Sequence, residues 1–146
     1  MKTESLLGSM TAQGQSNPRA RWMVVDDNEG VLDLLGDLLE ALGIAEVLRC
    51  RSAAEALAVF SASPNQFQFV ITDFDMPGMN GIELCRRLHA MAPRLKIVLA
   101  TGSGIANEAG ARQCGFCGFL PKPFPAADLW RTVEAAGVLN APRANN

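Results

Sequence analysis

The chain has 146 residues and a formal net charge of -2, from 13 lysines and arginines against 15 aspartates and glutamates. This near balance provides no broad basic surface for nucleic acid, and a hydrophobic content of 49% predicts one folded domain. The sequence has no apolar run long enough to span a membrane and no signal peptide, so we expect a cytoplasmic protein.

The first third of the chain predicts a polar tail followed by alternating strands and helices. Residues 1–19 are rich in Ser, Gln, Thr and Gly, which predicts a disordered tail. The apolar segment Arg21–Asp26 predicts a first strand, and leucines at helical spacing then predict a helix that ends near Gly43. A weaker second strand is predicted over Ala45–Cys50, followed by a helix with Ser52 as its cap.

The middle of the chain contains its most informative stretch. Phe67–Ile71 is short, β-branched and aromatic, which predicts a buried third strand leading to Asp73. Met76-Pro77-Gly78 then interrupts the regular structure, and a third helix is predicted over Gly81–Met91. The residues of this helix predicted to face inward are Ile82, Cys85 and Leu88.

The last third continues the alternation. A fourth strand is predicted over Lys96–Ala100, and a fourth helix, poor in large apolar residues, over roughly Ile105–Gln113. A fifth strand is predicted over Phe116–Leu120 and a last helix over Pro125–Ala136. The residues of the last helix predicted to pack inward are Leu129, Trp130 and Val133.

This alternation predicts an α/β fold, in which a doubly wound parallel sheet of five strands has helices on both faces. The domain is expected over residues 20–138, between the N-terminal tail of residues 1–19 and a C-terminal tail of residues 139–146.

Polar side chains follow four of the five predicted strands. Asp26 and Asp27 follow the first strand, Asp73 the third, Thr101 the fourth and Lys122 the fifth. Taken singly, each could be a helix cap, a turn former or a solvated charge. All strands of a parallel sheet end at one edge, however, and three clustered carboxylates repel unless a cation lies between them. Oxygen ligands suit Mg²⁺, and an Asp beside Mg²⁺ and Lys can attack phosphorus to form an aspartyl phosphate.

These residues resemble the receiver domains of two-component response regulators over roughly Arg21 to Val138. The similar segments are Val-Val-Asp-Asp-Asn, Asp-x-x-Met-Pro-Gly-Met-x-Gly, Ala-Thr-Gly and Phe-Leu-Pro-Lys-Pro-Phe. The resemblance implies a flavodoxin-like sheet in the strand order 2-1-3-4-5 and a cis peptide bond between Lys122 and Pro123.

The resemblance also implies a phosphoryl site with a magnesium cofactor. Asp73 would accept a phosphoryl group from the phosphohistidine of a histidine kinase or histidine phosphotransfer protein. Asp27 and Asp73 would bind Mg²⁺ directly, together with the backbone carbonyl of Asp75, whereas Asp26 would act mostly through water.

Three further residues would contact the phosphoryl group or change position in response to it. Lys122 and Thr101 would each contact a phosphoryl oxygen, and Phe119 takes the place of the family's switch aromatic. Phe119 has no hydroxyl, so burial would drive its inward movement. Gly102 follows Thr101 where a residue with a small side chain is more usual, which opens the site.

The resemblance implies signalling without enzymatic turnover, limited to Mg²⁺-dependent self-phosphorylation and slow autodephosphorylation. Output would occur through an unidentified partner bound at the face of the fourth helix, fifth strand and fifth helix, or through a phosphorylation-dependent dimer. Direct contact with nucleic acid or membrane is not expected, because no effector domain or DNA-reading motif is visible after Val138. An intermediate phosphoryl relay or sink, and a receiver fragment of a hybrid kinase, stay open.

Two other classes of protein compete with this interpretation. Thr72-Asp73-Phe74-Asp75 also resembles the first motif of haloacid-dehalogenase-type phosphatases. In those enzymes the nucleophile lies on the first strand and the acidic pair comes last, whereas here Asp26-Asp27 comes first. A binding module of the receiver shape that is never phosphorylated is disfavoured, because every residue that would handle a phosphoryl group is present.

The cysteines raise a separate question. Cys50, Cys85, Cys114 and Cys117 are expected to be free thiols in a reducing cytosol. The two thiols of Cys114-Gly115-Phe116-Cys117 have metal or redox spacing, but a zinc site needs two more ligands. The one histidine, His89, is far away in sequence, so we expect small buried cysteines and a solvated His89.

Overall fold

The computed structural model describes residues 20–102 and 107–139, and it confirms the predicted order of strands and helices there. The five strands are β1 (Ala20–Val25), β2 (Ala45–Cys50), β3 (Phe67–Asp73), β4 (Lys96–Thr101) and β5 (Gly118–Pro121). The five α-helices are α1 (Glu29–Glu40), α2 (Ala53–Ala62), α3 (Gly81–Met91), α4 (Glu108–Gln113) and α5 (Ala126–Ala136). A short 3₁₀ turn, Pro64–Gln66, precedes β3.

The strands form one parallel sheet in the order β2-β1-β3-β4-β5, which confirms the predicted fold and strand order. Asp73 of β3 lies opposite Ala100 of β4, and Thr101 lies opposite Pro121 of β5. These registers bring the carboxyl ends of the strands to one edge. The predicted cis bond between Lys122 and Pro123 is also present.

The core consists of two apolar layers, one on each face of the sheet. Side chains alternate across a strand, so Trp22 and Val24 of β1 face one layer while Met23 and Val25 face the other. The first layer packs against α1 and α5, and the second against α2 and α3. Each large side chain fully buried in these layers contributes about 1.5–3 kcal/mol, which fixes the sheet that carries the polar edge.

Side-chain caps set the start of most helices. The predicted cap Ser52 accepts a hydrogen bond from the backbone N–H of Glu55 at 3.0 Å. Asparagine side chains cap three other helices in the same way: Asn28 caps α1, Asn80 caps α3 and Asn107 caps α4. Such a cap contributes about 1 kcal/mol to helix stability.

Several predicted boundaries differ from the structure by a few residues. Helix α4 begins at Glu108, because Asn107 is its extended cap, and Pro125 caps α5 instead of occupying its first turn. Strand β5 begins at Gly118, since Gly115 with a φ of +103° still belongs to the preceding turn.

The predictions of inward-facing residues in α3 and α5 are only partly confirmed. Ile82 and Trp130 are only half-buried, whereas Leu84 of α3 is fully buried. The predicted N-terminal tail of residues 1–19, residues 140–146 of the predicted C-terminal tail, and residues 103–106 lie outside the described residues. Among the described residues, no helix combines the length and apolar character needed to cross a membrane.

Candidate functional site

Three carboxylates meet at the edge where the parallel strands end. Asp26 and Asp27 follow β1, and Asp73 is the last residue of β3. One oxygen from each lies within 4.8 Å of the others. Asp26 is only 1% exposed and Asp73 7%, whereas Asp27 is exposed. The predicted cluster is therefore present, with one carboxylate open to solvent.

Lys122 completes the cluster from the segment that follows β5. Its Nζ donates a hydrogen bond to Asp26 Oδ2 at 2.7 Å and another to Asp73 Oδ1 at 3.2 Å. Its backbone N–H donates to the carbonyl of Thr101 at 2.9 Å, which fixes the segment to the end of β4. The ammonium thus bridges two buried carboxylates, with the shorter contact to Asp26.

The charged groups at this edge shift one another's pKa values. Burial raises the pKa of Asp73, the nearby charge of Asp26 raises it further, and the ammonium of Lys122 offsets only part of this effect. For Lys122, burial alone would lower the pKa, but the hydrogen bond and charge of Asp26, with those of Asp73, raise it overall. One ammonium among three carboxylates leaves an excess of negative charge.

Backbone contacts hold two of the carboxylates in place. Asp26 Oδ1 accepts the N–H of Asn28 at 2.9 Å. Gly81, the first residue of α3, packs against the backbone of Asp73 so closely that a Cβ there would lie 2.3 Å from the Asp73 carbonyl oxygen. The sequence motif contained Gly81, but its spacing alone did not predict this contact.

The other predicted site residues occupy the surroundings of the cluster. Thr101 is buried at the end of β4, directly after the residue that pairs with Asp73. Asp75 is exposed in the turn after β3. Phe119 of β5 is half-buried and lines a cavity of about 220 Å³ between α4 and α5. Phe119 is therefore placed between the core and the predicted output face.

The donor set fits the predicted magnesium ion. The three side chains offer carboxylate oxygens, a ligand type that Mg²⁺ prefers, and the exposed Asp27 leaves room for the waters that Mg²⁺ retains. The strand positions also argue against the phosphatase arrangement, because Asp73 ends the third strand and the acidic pair follows the first.

Two expectations about residues outside this cluster are wrong. His89 is not a solvated helix residue, because it is half-buried with Nε2 2.9 Å from the Leu95 carbonyl. The four cysteines are free, as expected, but they are not uniformly buried. Cys50 and Cys85 are buried, whereas Cys114 is exposed and Cys117 is half-buried, since both belong to the turn before β5.

Comparison with known proteins points to one family. The model of the response regulator receiver domain family matches residues 22–134. The chain is 30% identical over 115 residues to the chemotaxis protein CheY of Pseudomonas aeruginosa, covering 77% of this chain and 91% of that protein. It is 35% identical over 116 residues to a two-component response regulator of Arabidopsis thaliana, covering 78% of this chain. This chain spans only 20% of the length of the Arabidopsis protein.

Solved structures agree with the sequence relatives. A receiver domain protein of Clostridium thermocellum superposes with a TM-score of 0.73 at 33% identity, covering 80% of this chain and 93% of that one. The non-phosphorylated receiver domain of HemR from Leptospira biflexa has a TM-score of 0.74 at 26% identity, covering 85% of this chain and 98% of the other.

Proposed function

The chain belongs to the family of response regulator receiver domains, and from this premise we propose that Asp73 accepts a phosphoryl group and thereby switches partner binding. The observation that supports this best is the position of Asp73 at a strand end, where the ammonium of Lys122 bridges it to a second buried carboxylate, that of Asp26. The proposed donor is the phosphohistidine of a histidine kinase or histidine phosphotransfer protein. The domain is proposed to cover residues 20–138.

The chemical step is a transfer between nucleophiles. A carboxylate oxygen of Asp73 forms a bond to phosphorus while the phosphorus–nitrogen bond of the phosphohistidine breaks, and the electron pair of that bond stays on the imidazole. Burial favours this attack, because a carboxylate that has lost part of its hydration needs less solvent reorganisation to react. Lys122 is proposed to hold an oxygen of the incoming phosphoryl group, and its Nζ lying 3.2 Å from Asp73 Oδ1 supports this role.

The proposed metal ligands are Asp27, Asp73 and the backbone carbonyl of Asp75, with Asp26 acting through water. Bound Mg²⁺ would neutralise charge on the phosphoryl oxygens. Asp26 keeps Lys122 in place through the shorter of the two Lys122 contacts. Thr101, buried beside the site, is proposed to hydrogen-bond another phosphoryl oxygen.

The proposed output surface consists of α4, β5 and α5. Thr101 ends β4, and the neighbouring strand carries Phe119, which lines the cavity between α4 and α5. A hydrogen bond from Thr101 to the phosphoryl group would move its loop inward and favour burial of Phe119. The phosphoryl group would thus shift an existing equilibrium by no more than its differential affinity for the two states.

Labelling with acetyl phosphate tests the chemical part of the proposal. We expect Mg²⁺-dependent incorporation of one phosphoryl group into the wild type, and none into Asp73→Asn or Asp27→Ala. Asp33→Ala is the matched control, because it removes a carboxylate that is 65% exposed on α1, outside the cluster. Full labelling of Asp27→Ala, or equal loss in Asp33→Ala, would contradict the assignment.

Amide NMR tests the switch. With beryllofluoride and Mg²⁺, we expect chemical shift changes to extend from Asp73 through Thr101 to Phe119 and residues 107–113. Phe119→Ala should be labelled normally yet lose the changes in α4. Changes confined to residues at the phosphoryl site would favour the alternative function of a phosphoryl relay or sink.

A further inference from the structure

A groove lies at the edge of the sheet opposite the carboxylates, where β3 and β4 begin and α3 and α5 end. Its volume is about 500 Å³, which is within the usual range of small-molecule sites. The lining is mainly apolar and includes Phe67, Met91, Leu95 and Val138. Phe67 and Asp73 are the two ends of β3, so the groove lies roughly 20 Å from the carboxylate cluster.

Packing beneath the groove holds its apolar surface in place. The ring of Phe67 stacks on Phe60 with a centroid distance of 5.3 Å, and the guanidinium of Arg21 lies 5.0 Å from the centroid of the Phe67 ring. Leu95 is buried, and its backbone N–H donates to the carbonyl of Ala92 at 3.1 Å. A ligand would therefore meet a surface that is already ordered, which lowers the cost of binding.

Two cationic side chains on this groove have no counter-ion. Arg94 and Lys96 are exposed on either side of the buried Leu95, and neither forms an ion pair with any residue that the structure describes. Every other lysine and arginine in residues 20–102 and 107–139 pairs with an aspartate or glutamate. None of the described residues that line the groove is acidic. The groove thus combines an apolar floor with uncompensated positive charge.

This combination favours one class of ligand. Guanidinium and ammonium groups donate several hydrogen bonds, and these are strongest to an ionised acceptor such as a carboxylate or phosphate oxygen. A neutral apolar ligand would leave both cations without a partner. Nucleic acid would need a broader row of basic side chains along its phosphates than the two in this groove.

We propose that the groove binds a small amphipathic organic anion. Its apolar part lies against Phe67, Met91 and Val138, and its anionic group is held by Arg94 and Lys96. Organic carboxylates, sulfonates and phosphate esters share this chemistry. The site is separate from the carboxylate cluster, so the proposal does not depend on the proposed signalling function.

The fluorescence of anilinonaphthalene sulfonate tests the proposal in the full chain. This probe is an apolar anion whose emission increases in apolar surroundings. The matched control ligand is N-phenylnaphthylamine, which has the same rings without the sulfonate. We expect one equivalent of the sulfonate to bind, and the neutral amine to bind about tenfold more weakly, because it forms no hydrogen bond to a charged group.

The double variant Arg94→Gln and Lys96→Gln should bind the sulfonate about tenfold more weakly than the wild type. Arg86→Gln is the matched control, because it removes an α3 cation that is 69% exposed and lies outside the groove. All of these side chains are exposed, so the melting temperatures should stay close to that of the wild type. Asp73→Asn should bind the sulfonate like the wild type, which separates this site from the phosphoryl site.

Amide NMR locates the bound sulfonate. We expect the largest chemical shift changes at the start of β3, the start of β4 and the residues that follow α5. Changes confined to α4, β5 and α5, or equal affinity for the sulfonate and the amine, would overturn the proposal. The same holds if Arg86→Gln weakens binding as much as the double variant, since a general effect of net charge would then explain the loss.

Discussion

Replacing Gly81 with alanine tests whether backbone packing positions the carboxylate of Asp73. Gly81 is buried at the start of α3, and its N–H donates to the Phe74 carbonyl at 2.9 Å. A Cβ at this position would lie 2.3 Å from the Asp73 carbonyl oxygen and 3.2 Å from Phe74 Cα. Both of these atoms are backbone atoms, so no side-chain rotation can relieve the contact.

The expected effect follows from the size of this overlap. Non-bonded heavy atoms reach their energy minimum near 3.5–4.0 Å, so the end of β3 and the start of α3 must separate by about 1 Å. Forcing one extra methyl group into a packed site typically costs about 1–3 kcal/mol, and the better helix propensity of alanine offsets at most about 1 kcal/mol. A displacement of about 1 Å at a reactive group can reduce a rate by about 100-fold.

Gly30→Ala is the matched control. Gly30 is exposed in the first turn of α1, and the nearest atom to a Cβ there is Asn28 Oδ1, at an ordinary contact distance of 3.4 Å. We expect Gly30→Ala to raise the free energy of unfolding by about 0.4–1 kcal/mol and to leave labelling unchanged. Gly81→Ala should lower the free energy of unfolding in urea and slow labelling by acetyl phosphate. If Gly81→Ala were as stable as Gly30→Ala and labelled at the wild-type rate, the contact with Asp73 would have no positioning role.

Three further predictions concern charge and thiols. The pKa of Asp73 is raised in the folded state, so its ionised carboxylate lowers the free energy of unfolding at pH values above that pKa. This loss of stability disappears as the pH falls through the pKa and the carboxylate takes up a proton. In Mg²⁺-free urea titrations, Asp73→Asn should therefore be more stable than the wild type at pH 7, with a difference that shrinks toward pH 4. Lys122→Met leaves buried carboxylates without a cation and should lower the free energy of unfolding by about 3 kcal/mol in Mg²⁺-free buffer, a loss that Mg²⁺ reduces. Burial raises the pKa values of the Cys50 and Cys85 thiols to about 12, so a thiol reagent at pH 8 should modify the exposed Cys114 first and these two only after unfolding, as mass spectrometry of the digested protein would show.

The sequence predicted the fold and most of the site for one physical reason. A parallel sheet places the ends of all its strands at one edge, so knowing that Asp26, Asp73 and Thr101 follow strands is enough to bring them together. Strong local signals, such as the cap at Ser52, also appear in the structure as predicted. These features depend on neighbours in sequence or on the general geometry of the fold.

What the sequence did not predict depends on contacts between distant residues. The close packing of Gly81 against the backbone of Asp73 depends on the path of the turn between them, and motif spacing does not describe that path. His89 appeared solvated because its helix is rich in arginine, yet the Leu95 carbonyl and the turn at Gly115 lie against it. Its distance in sequence from the cysteines was therefore a poor guide to its distance in space.

The charge balance of the site would link the proposed phosphorylation of Asp73 to cation binding. The ammonium of Lys122 donates hydrogen bonds to both Asp26 and Asp73. A phosphoryl group on Asp73 would add negative charge and would have to share this one ammonium with Asp26. If Asp73 is phosphorylated as proposed, we therefore expect a second cation to bind the phosphorylated form more tightly than the free form. By thermodynamic reciprocity, that cation must favour the phosphorylated form by the same factor. On this account Asp26 would have a role apart from metal binding, because its contact with Lys122 would keep the ammonium at the site after the proposed conversion of Asp73 to an acyl phosphate.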